Sequence, residues 1–184
     1  MNTLILKNGA LGANSATNEV LDHAIAALQA KGQTPTVHDL SANPLPHIHG
    51  GNLQSELSNT LIAEIKAQDV IVIGAPMYNF GIPSTLKSYL DHVLRAGETF
   101  RYTANGPEGL LTGKKAIVVM ASGGKYDEAP AAAMDFVRPY LKTVLGFVGI
   151  TDVQFVNVQG VAFGPEARTA AVEAAKQAVA AALA

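Results

Sequence analysis

Apolar positions recur along the chain in two alternating rhythms, short continuous runs of β-branched residues and longer stretches with a spacing of three to four, which is how strands and amphipathic helices alternate. Thr3 to Lys7 is the first strand, and a polar turn from Asn8 to Ser15 follows it. Val20, Leu21, Ala24, Ile25 and Leu28 then lie on one helical face, with Ser15 or Thr17 as the N-cap and Gly32 as the stop. Thr34 to Leu40 is a second strand; Pro44, Pro46 and Gly50-Gly51 mark a loop before a helix from about Glu56 to Gln68. Asp69 to Ala75 is apolar after its first residue, the signature of a strand covered on both faces.

Pro76-Met-Tyr-Asn-Phe-Gly-Ile-Pro83 leads into a helix whose apolar face is Leu86, Leu90, Val93 and Leu94. Glu98 to Leu111 is polar and aromatic, with a turn at Gly106-Pro107. Lys115 to Ala121 is the fourth strand, Ser122-Gly123-Gly124 a turn, and Ala129 to Leu145 a helix that takes its N-terminal charge from Asp127-Glu128. Asp152 to Gln159 is the fifth strand, and Gly164-Pro165 opens the last helix, whose Ala170 to Ala184 tail is a surface helix with a small-residue packing face. Strand–helix alternation predicts an α/β three-layer sandwich, one domain over 1–184, built on a five-stranded parallel sheet of flavodoxin-like order 2-1-3-4-5 with right-handed crossovers.

Composition narrows the function. At 184 residues a single core is expected to bury about 70% of the unfolded chain's surface without disulfide or metal support. Lys and Arg number 13 against 15 Asp and Glu, a formal charge of −2, so there is no basic footprint for nucleic acid or an anionic membrane surface. Cysteine is absent, which closes thiol catalysis and Cys-based zinc sites and is compatible with a cytoplasmic location. No apolar run approaches the roughly 20 residues of a membrane span, and Lys7 and Asn8 interrupt the apolar start before it reaches signal-peptide length.

In a sheet of this order, ligands bind beyond the carboxyl ends of the strands where the order reverses, between the first and third strands. Three loops must line that crevice: Asn8 to Ser15, Pro76 to Gly81, and Ala121 to Gly124. The first offers Ser15 and Thr17 hydroxyls and free N–H groups at a helix N-terminus, which suit a phosphate; a simple N-cap is the alternative. Met77, Tyr78, Asn79 and Phe80 between two prolines suit a flat heteroaromatic ring, or a hydrophobic plug over the sheet end. Ser122-Gly123-Gly124 permits close backbone approach to a ligand, and a type II turn explains it equally.

Other motifs fall away. Gly9-Ala-Leu-Gly12 lacks the dinucleotide G-x-G-x-x-G spacing, and Gly113-Lys114 precedes a strand where a P-loop would follow one. His47-Ile-His49 has no acidic or thiol partner nearby and reads as a solvated loop, with no metal site expected. His23, His38 and His92 show no triad logic.

Pro76 to Pro83, Leu86-Lys-Ser-Tyr-Leu-Asp91, Arg95 through Thr103, Gly106 through Lys115 and Leu145-Gly-Phe-Val-Gly-Ile-Thr151 together closely resemble the FMN-dependent NADH azoreductases, also called NADH:quinone oxidoreductases. The likeness runs nearly end to end and is most specific from about Leu61 to Leu111. It implies a cytoplasmic homodimer that transfers two electrons from NADH or NADPH through FMN to a quinone or azo compound. By position, Pro76 and Met77 to Phe80 would hold the flavin ring, Gly9 and Ser15-Ala16-Thr17 the phosphate, and Ala121 and Ser122 to Gly124 the other side of the ring. Phe80, Tyr102, Tyr126 and Phe147 would form the substrate pocket, Phe147 reaching the neighbouring subunit's flavin. The family usually has Ser, Gln and Ser where this chain has Gly9, Ala16 and Ala121, and many members have a longer loop around His47 to Ser55.

Three expectations and one alternative follow. FMN rather than FAD is bound, because no second mononucleotide site is apparent. Phe100, Tyr102 and Phe147 are too many aromatics for a monomer's surface and are expected at a two-fold interface. Gly9→Ser is expected to tighten FMN binding by adding a hydroxyl to the phosphate. A flavodoxin-like electron-transfer or flavin-binding module without its own substrate site is the alternative, which steady NADH oxidation with a quinone discriminates.

Overall fold

The computed structural model of the protein describes residues 1–52 and 54–184. In chain order its elements are β1 (Thr3–Lys7), α1 (Ala16–Ala30), β2 (Thr36–Asp39), α2 (Glu56–Ala67), β3 (Val70–Gly74), α3 (Ser84–Val93), β4 (Phe100–Thr103), β5 (Gly106–Gly109), β6 (Lys115–Ser122), α4 (Val137–Phe147), β7 (Asp152–Gln159) and α5 (Pro165–Ala182). Five strands pair in parallel in the order β2-β1-β3-β6-β7, which is the 2-1-3-4-5 order expected from the sequence. No helix among the described residues is long and apolar enough to cross a membrane.

Alternation along the central strands fills both faces. Leu4, Leu6, Ile71, Ile73 and Val118 face a core completed by α2, α3 and α4, while Ile5, Val70, Val72, Ile117 and Val119 face the core beneath α1 and α5. Period-two side chains that are apolar on both faces produce the continuous hydrophobic runs seen in the sequence. Tyr89 on α3 is fully buried, and its hydroxyl has no hydrogen-bond partner among the described residues. Burial pushes that hydroxyl's pKa far above its ordinary value. Tyr89→Phe is therefore expected to raise stability by about 1 kcal/mol, read as a higher urea midpoint at unchanged slope. A lower midpoint would show that the hydroxyl has a partner.

Three local expectations are corrected. The Glu98 to Leu111 stretch contains an antiparallel hairpin, β4 with β5, in which Pro107 pairs with Tyr102 and the turn falls at Ala104-Asn105. Proline is tolerated there because the hairpin is separate from the main sheet. The helix expected from Ala129 begins only at Val137, after a short 3-10 turn over Ala131–Met134. Its cap is Asp135, whose Oδ1 accepts the N–H groups of Val137 (2.9 Å) and Arg138 (3.0 Å), so Asp127-Glu128 is not its N-terminal charge. The aromatic argument for an interface also fails for one of its three residues. Phe100 is buried within the chain with its ring 4.6 Å from that of half-buried Phe147, while Tyr102 is exposed.

Candidate functional site

Beyond the carboxyl ends of β1, β3 and β6 a crevice of about 230 Å3 opens, lined by Ser15, Ala16 and Thr17 at the start of α1, by Pro76, Met77 and Tyr78 after β3, and by Ala121, Ser122 and Gly123 at the end of β6. Leu11, Asn14, Val161 and Arg168 complete its wall. A larger concavity of about 690 Å3 lies between α3 and α4, lined by Ile82, Phe136, Pro139 and Tyr140 among others. It is mostly apolar, whereas the smaller crevice has the converging polar groups that fix a ligand's orientation.

The first loop is braced from inside. Buried Asn8 donates from Nδ2 to the Gly74 carbonyl (2.9 Å) and accepts from the Thr85 hydroxyl (3.0 Å), tying the end of β1 to β3 and α3. Asn18, in the first turn of α1, accepts the Gly9 N–H (3.1 Å) and donates to the carbonyls of Gly9 (3.2 Å) and Gly12 (3.3 Å). Ser15 is the N-cap, its Oγ accepting the Asn18 N–H at 3.3 Å. Among the described residues the N–H groups of Ala16 and Thr17 have no acceptor, and the Thr17 hydroxyl is fully buried without a partner. Free N–H groups at a helix start, beside an orphaned buried hydroxyl, fit an anion such as a terminal phosphate.

Gly9 sits behind this floor with no room for a side chain. A Cβ there would lie 2.6 Å from both Ser15 Cβ and Asn18 Oδ1, and closer still to Ser15 Oγ. The expected benefit of Gly9→Ser is thus overturned, because its hydroxyl would displace the cap before it met a ligand.

Tyr78 and Gly81 exchange two backbone hydrogen bonds of 3.1 Å, closing a tight turn in which Asn79 (φ 48°) and Phe80 (φ 69°) are both left-handed. Asn tolerates this region; Phe does so at a cost of about 1–2 kcal/mol. The turn is held from outside by the Phe136 N–H donating to the Phe80 carbonyl (3.1 Å), and across the crevice by the Ala10 N–H donating to the Tyr78 hydroxyl (3.0 Å). Strain held at a cleft edge points to function. It leaves the Phe80 ring 43% exposed and edge-on to Tyr126, with centroids 6.3 Å apart.

Neither Gly123 nor Gly124 has positive φ, so the type II turn is not formed. At Gly124 a Cβ would lie 3.3 Å from the Tyr126 ring, a tight contact that the ring would have to relieve by a small shift. The Ser122 hydroxyl is occupied within the turn, donating to the Gly124 carbonyl at 2.8 Å.

Of the residues singled out in the sequence, Ser15, Ala16, Thr17, Pro76, Met77, Tyr78, Ala121, Ser122 and Gly123 line one crevice. Gly9, Asn79, Phe80 and Gly124 belong to the same loops but do not line it, and Tyr126 packs against Phe80. Tyr102, on β4, and Phe147, at the end of α4, lie outside the lining. The histidine loop is held by its own contacts: His49 Nδ1 accepts the Gly51 N–H (3.2 Å), and the Pro46 carbonyl accepts from His92 Nε2 (2.8 Å). Sequence reasoning missed Asn18 and Arg168. Asn18 was readable only as a polar residue in the first turn of a helix, and Arg168 gives no local signal at all.

The chain matches the family described as Flavodoxin-like fold over residues 1–183. The FMN-dependent NADH:quinone oxidoreductase of Hyphomonas neptunium is 47% identical over 191 residues, which cover 95% of this chain and 92% of the relative. The protein of the same name from Escherichia coli K12 is 48% identical over 194 residues, covering 96% and 95%. Among solved structures, an FMN-dependent NADH-azoreductase from Bacillus anthracis in complex with FMN superposes with a TM-score of 0.86 at 28% identity, covering 99% of each chain. The azoreductase AzrA gives 0.87 at 25% identity, covering 99% and 98%. Nearly half of all positions are shared along almost the whole length of both chains, and the flavodoxin-like family model spans residues 1–183, so the chain belongs to the FMN-dependent NADH:quinone oxidoreductase family with its flavodoxin-like fold.

Proposed function

We propose that the protein is an FMN-dependent oxidoreductase that takes two electrons from NADH and gives them to quinones, and to azo compounds as a second acceptor class, by a ping-pong mechanism. The observation that carries this reading is the crevice itself, in which unpaired N–H groups of Ala16 and Thr17 and the orphaned Thr17 hydroxyl stand opposite the Pro76–Tyr78 wall. The relatives' names supply FMN, NADH and quinone. FMN held there would supply the two-electron redox chemistry between nicotinamide and acceptor.

The chain's own residues bind and orient. Ser15 to Thr17 hold the phosphate, while backbone groups of Pro76 to Phe80 and of Ala121 to Gly124 hold the ring's polar edge. Met77 and Tyr78 cover its apolar area. Phe80, exposed on its strained turn, stacks with whichever flat substrate occupies the open side. One open side serves both substrates in turn, which is what makes the kinetics alternate. Water and Tyr126 are the proton sources for the reduced acceptor.

A homodimer completes the site. The apolar concavity between α3 and α4, with Phe136 61% exposed beside the Phe80 carbonyl, and Tyr102, 74% exposed on the hairpin, are the surfaces a second copy would cover. Dependence on NADH supports a cytoplasmic location.

The test is to release and identify the cofactor, then follow NADH and NADPH oxidation at several fixed quinone concentrations. FMN and parallel double-reciprocal lines are expected. FAD, or no binding with excess FMN, overturns the cofactor assignment; intersecting lines overturn the alternation. A pure electron carrier would show no steady NADH oxidation.

A further inference from the structure

The geometry points to Arg168, on α5, as a second-segment phosphate ligand that makes this protein select FMN over riboflavin. The inference rests on the FMN reading above. The loop that forms the floor brings no cationic group to the phosphate position. Gly9 and Ala16 offer no side-chain donor, and Asn18 is spent on bracing the loop. Yet the floor asks for an anion, since two N–H groups lack acceptors and a fully buried hydroxyl lacks a partner.

Arg168 lines the same crevice. Its Nη2 donates to the carbonyl of Asn14 (3.3 Å), the residue before the N-cap, and pairs with Glu19 Oε2 (3.0 Å), so the guanidinium is tethered beside the first turn of α1. Its Nε and Nη1 make no hydrogen bond among the described residues, so donors remain for a ligand. A planar guanidinium matches phosphate oxygens two at a time, which no hydroxyl or single N–H does.

Glu19 is not a competitor that locks Arg168 away. Lys176 also reaches the Glu19 carboxylate at 3.0 Å, and that hydrogen bond is the main reason its pKa is held below the usual range; partial burial opposes it and Arg168 lowers it further. With Lys176 in place, Glu19 stays compensated when Arg168 turns toward a dianion.

FMN and riboflavin differ by the phosphate alone, so titrating both into the full-length apoprotein isolates this contact. Flavin fluorescence quenching reads the affinity of wild type, Arg168→Ala and Arg168→Lys. Arg168→Ala is expected to weaken FMN binding about tenfold and to leave riboflavin binding within about twofold, as befits one partly exposed charge-assisted contact. Arg168→Lys, which keeps the charge but not the fork, should fall between. FMN binding should also depend less on salt in Arg168→Ala than in wild type. Equal loss for both flavins would show that Arg168 only supports the fold, and unchanged FMN binding would show that backbone N–H groups suffice; either overturns the inference while leaving the FMN reading intact. Wild type that binds neither flavin overturns both.

Discussion

Gly9→Ser is expected to weaken FMN binding by at least tenfold and to lower stability by about 2–3 kcal/mol, the range of an overpacked, braced site. The new Cβ would lie 2.6 Å from Ser15 Cβ and from Asn18 Oδ1, side chains that the cap and the bonds to Gly9 and Gly12 hold in place. Making room means moving Ser15 off its cap, which contributes about 1 kcal/mol, or breaking the buried bond from the Gly9 N–H to Asn18 at a comparable cost. Either movement reorients the Ala16 and Thr17 N–H groups, so stability and affinity should fall together. Urea unfolding of the apoprotein and calorimetric titration of FMN measure the two losses. Tighter FMN binding by the variant would show that the loop opens freely and that Asn18 does not set its shape.

Gly109→Ala is expected to cost about 3–5 kcal/mol, more than any other single methyl discussed above, because the obstacle is backbone. At the end of β5 the added Cβ would lie 2.5 Å from the Gly149 Cα, and nearer still to the Gly149 nitrogen and the Val148 carbonyl carbon. The neighbouring hydrogen bond from the Leu111 N–H to the Val148 carbonyl (2.8 Å) fixes the two segments at that crossing. The methyl must then lever the hairpin away from the end of α4, uncovering Phe100, which is buried against Phe147. A much lower urea midpoint, with FMN affinity of the folded protein nearly unchanged, is the expected pattern. A stability loss under about 1 kcal/mol would show that the hairpin rides loosely on the domain.

Much of this molecule was legible in its residues. The order of strands and helices follows from local periodicity, because a strand buried on both faces, such as Val70–Gly74, must be apolar at every position, and the strand–helix alternation with right-handed crossovers then points to the parallel sheet and its neighbour order. The sheet order in turn places the loops after β1, β3 and β6 around one crevice, since a parallel sheet puts all its carboxyl ends on one edge. Weak local signals misled. Asp127-Glu128 looked like helix-start charge, yet Asp135 performs that role, and a polar stretch with a Gly-Pro pair concealed a hairpin.

What no local pattern contains is which atoms of distant segments come within a few ångströms of each other. Gly9 is small because Ser15 and Asn18 fold back against it, and its own neighbours in the chain say nothing of this. Phe100 is buried against Phe147 although 46 residues lie between them in the chain, where composition alone suggested a surface awaiting a partner. Arg168 reaches the Asn14 carbonyl across 154 residues of chain. Periodicity determines which face of an element is buried; the packing of α5 against α1 alone decided that this guanidinium stands beside the first turn of α1.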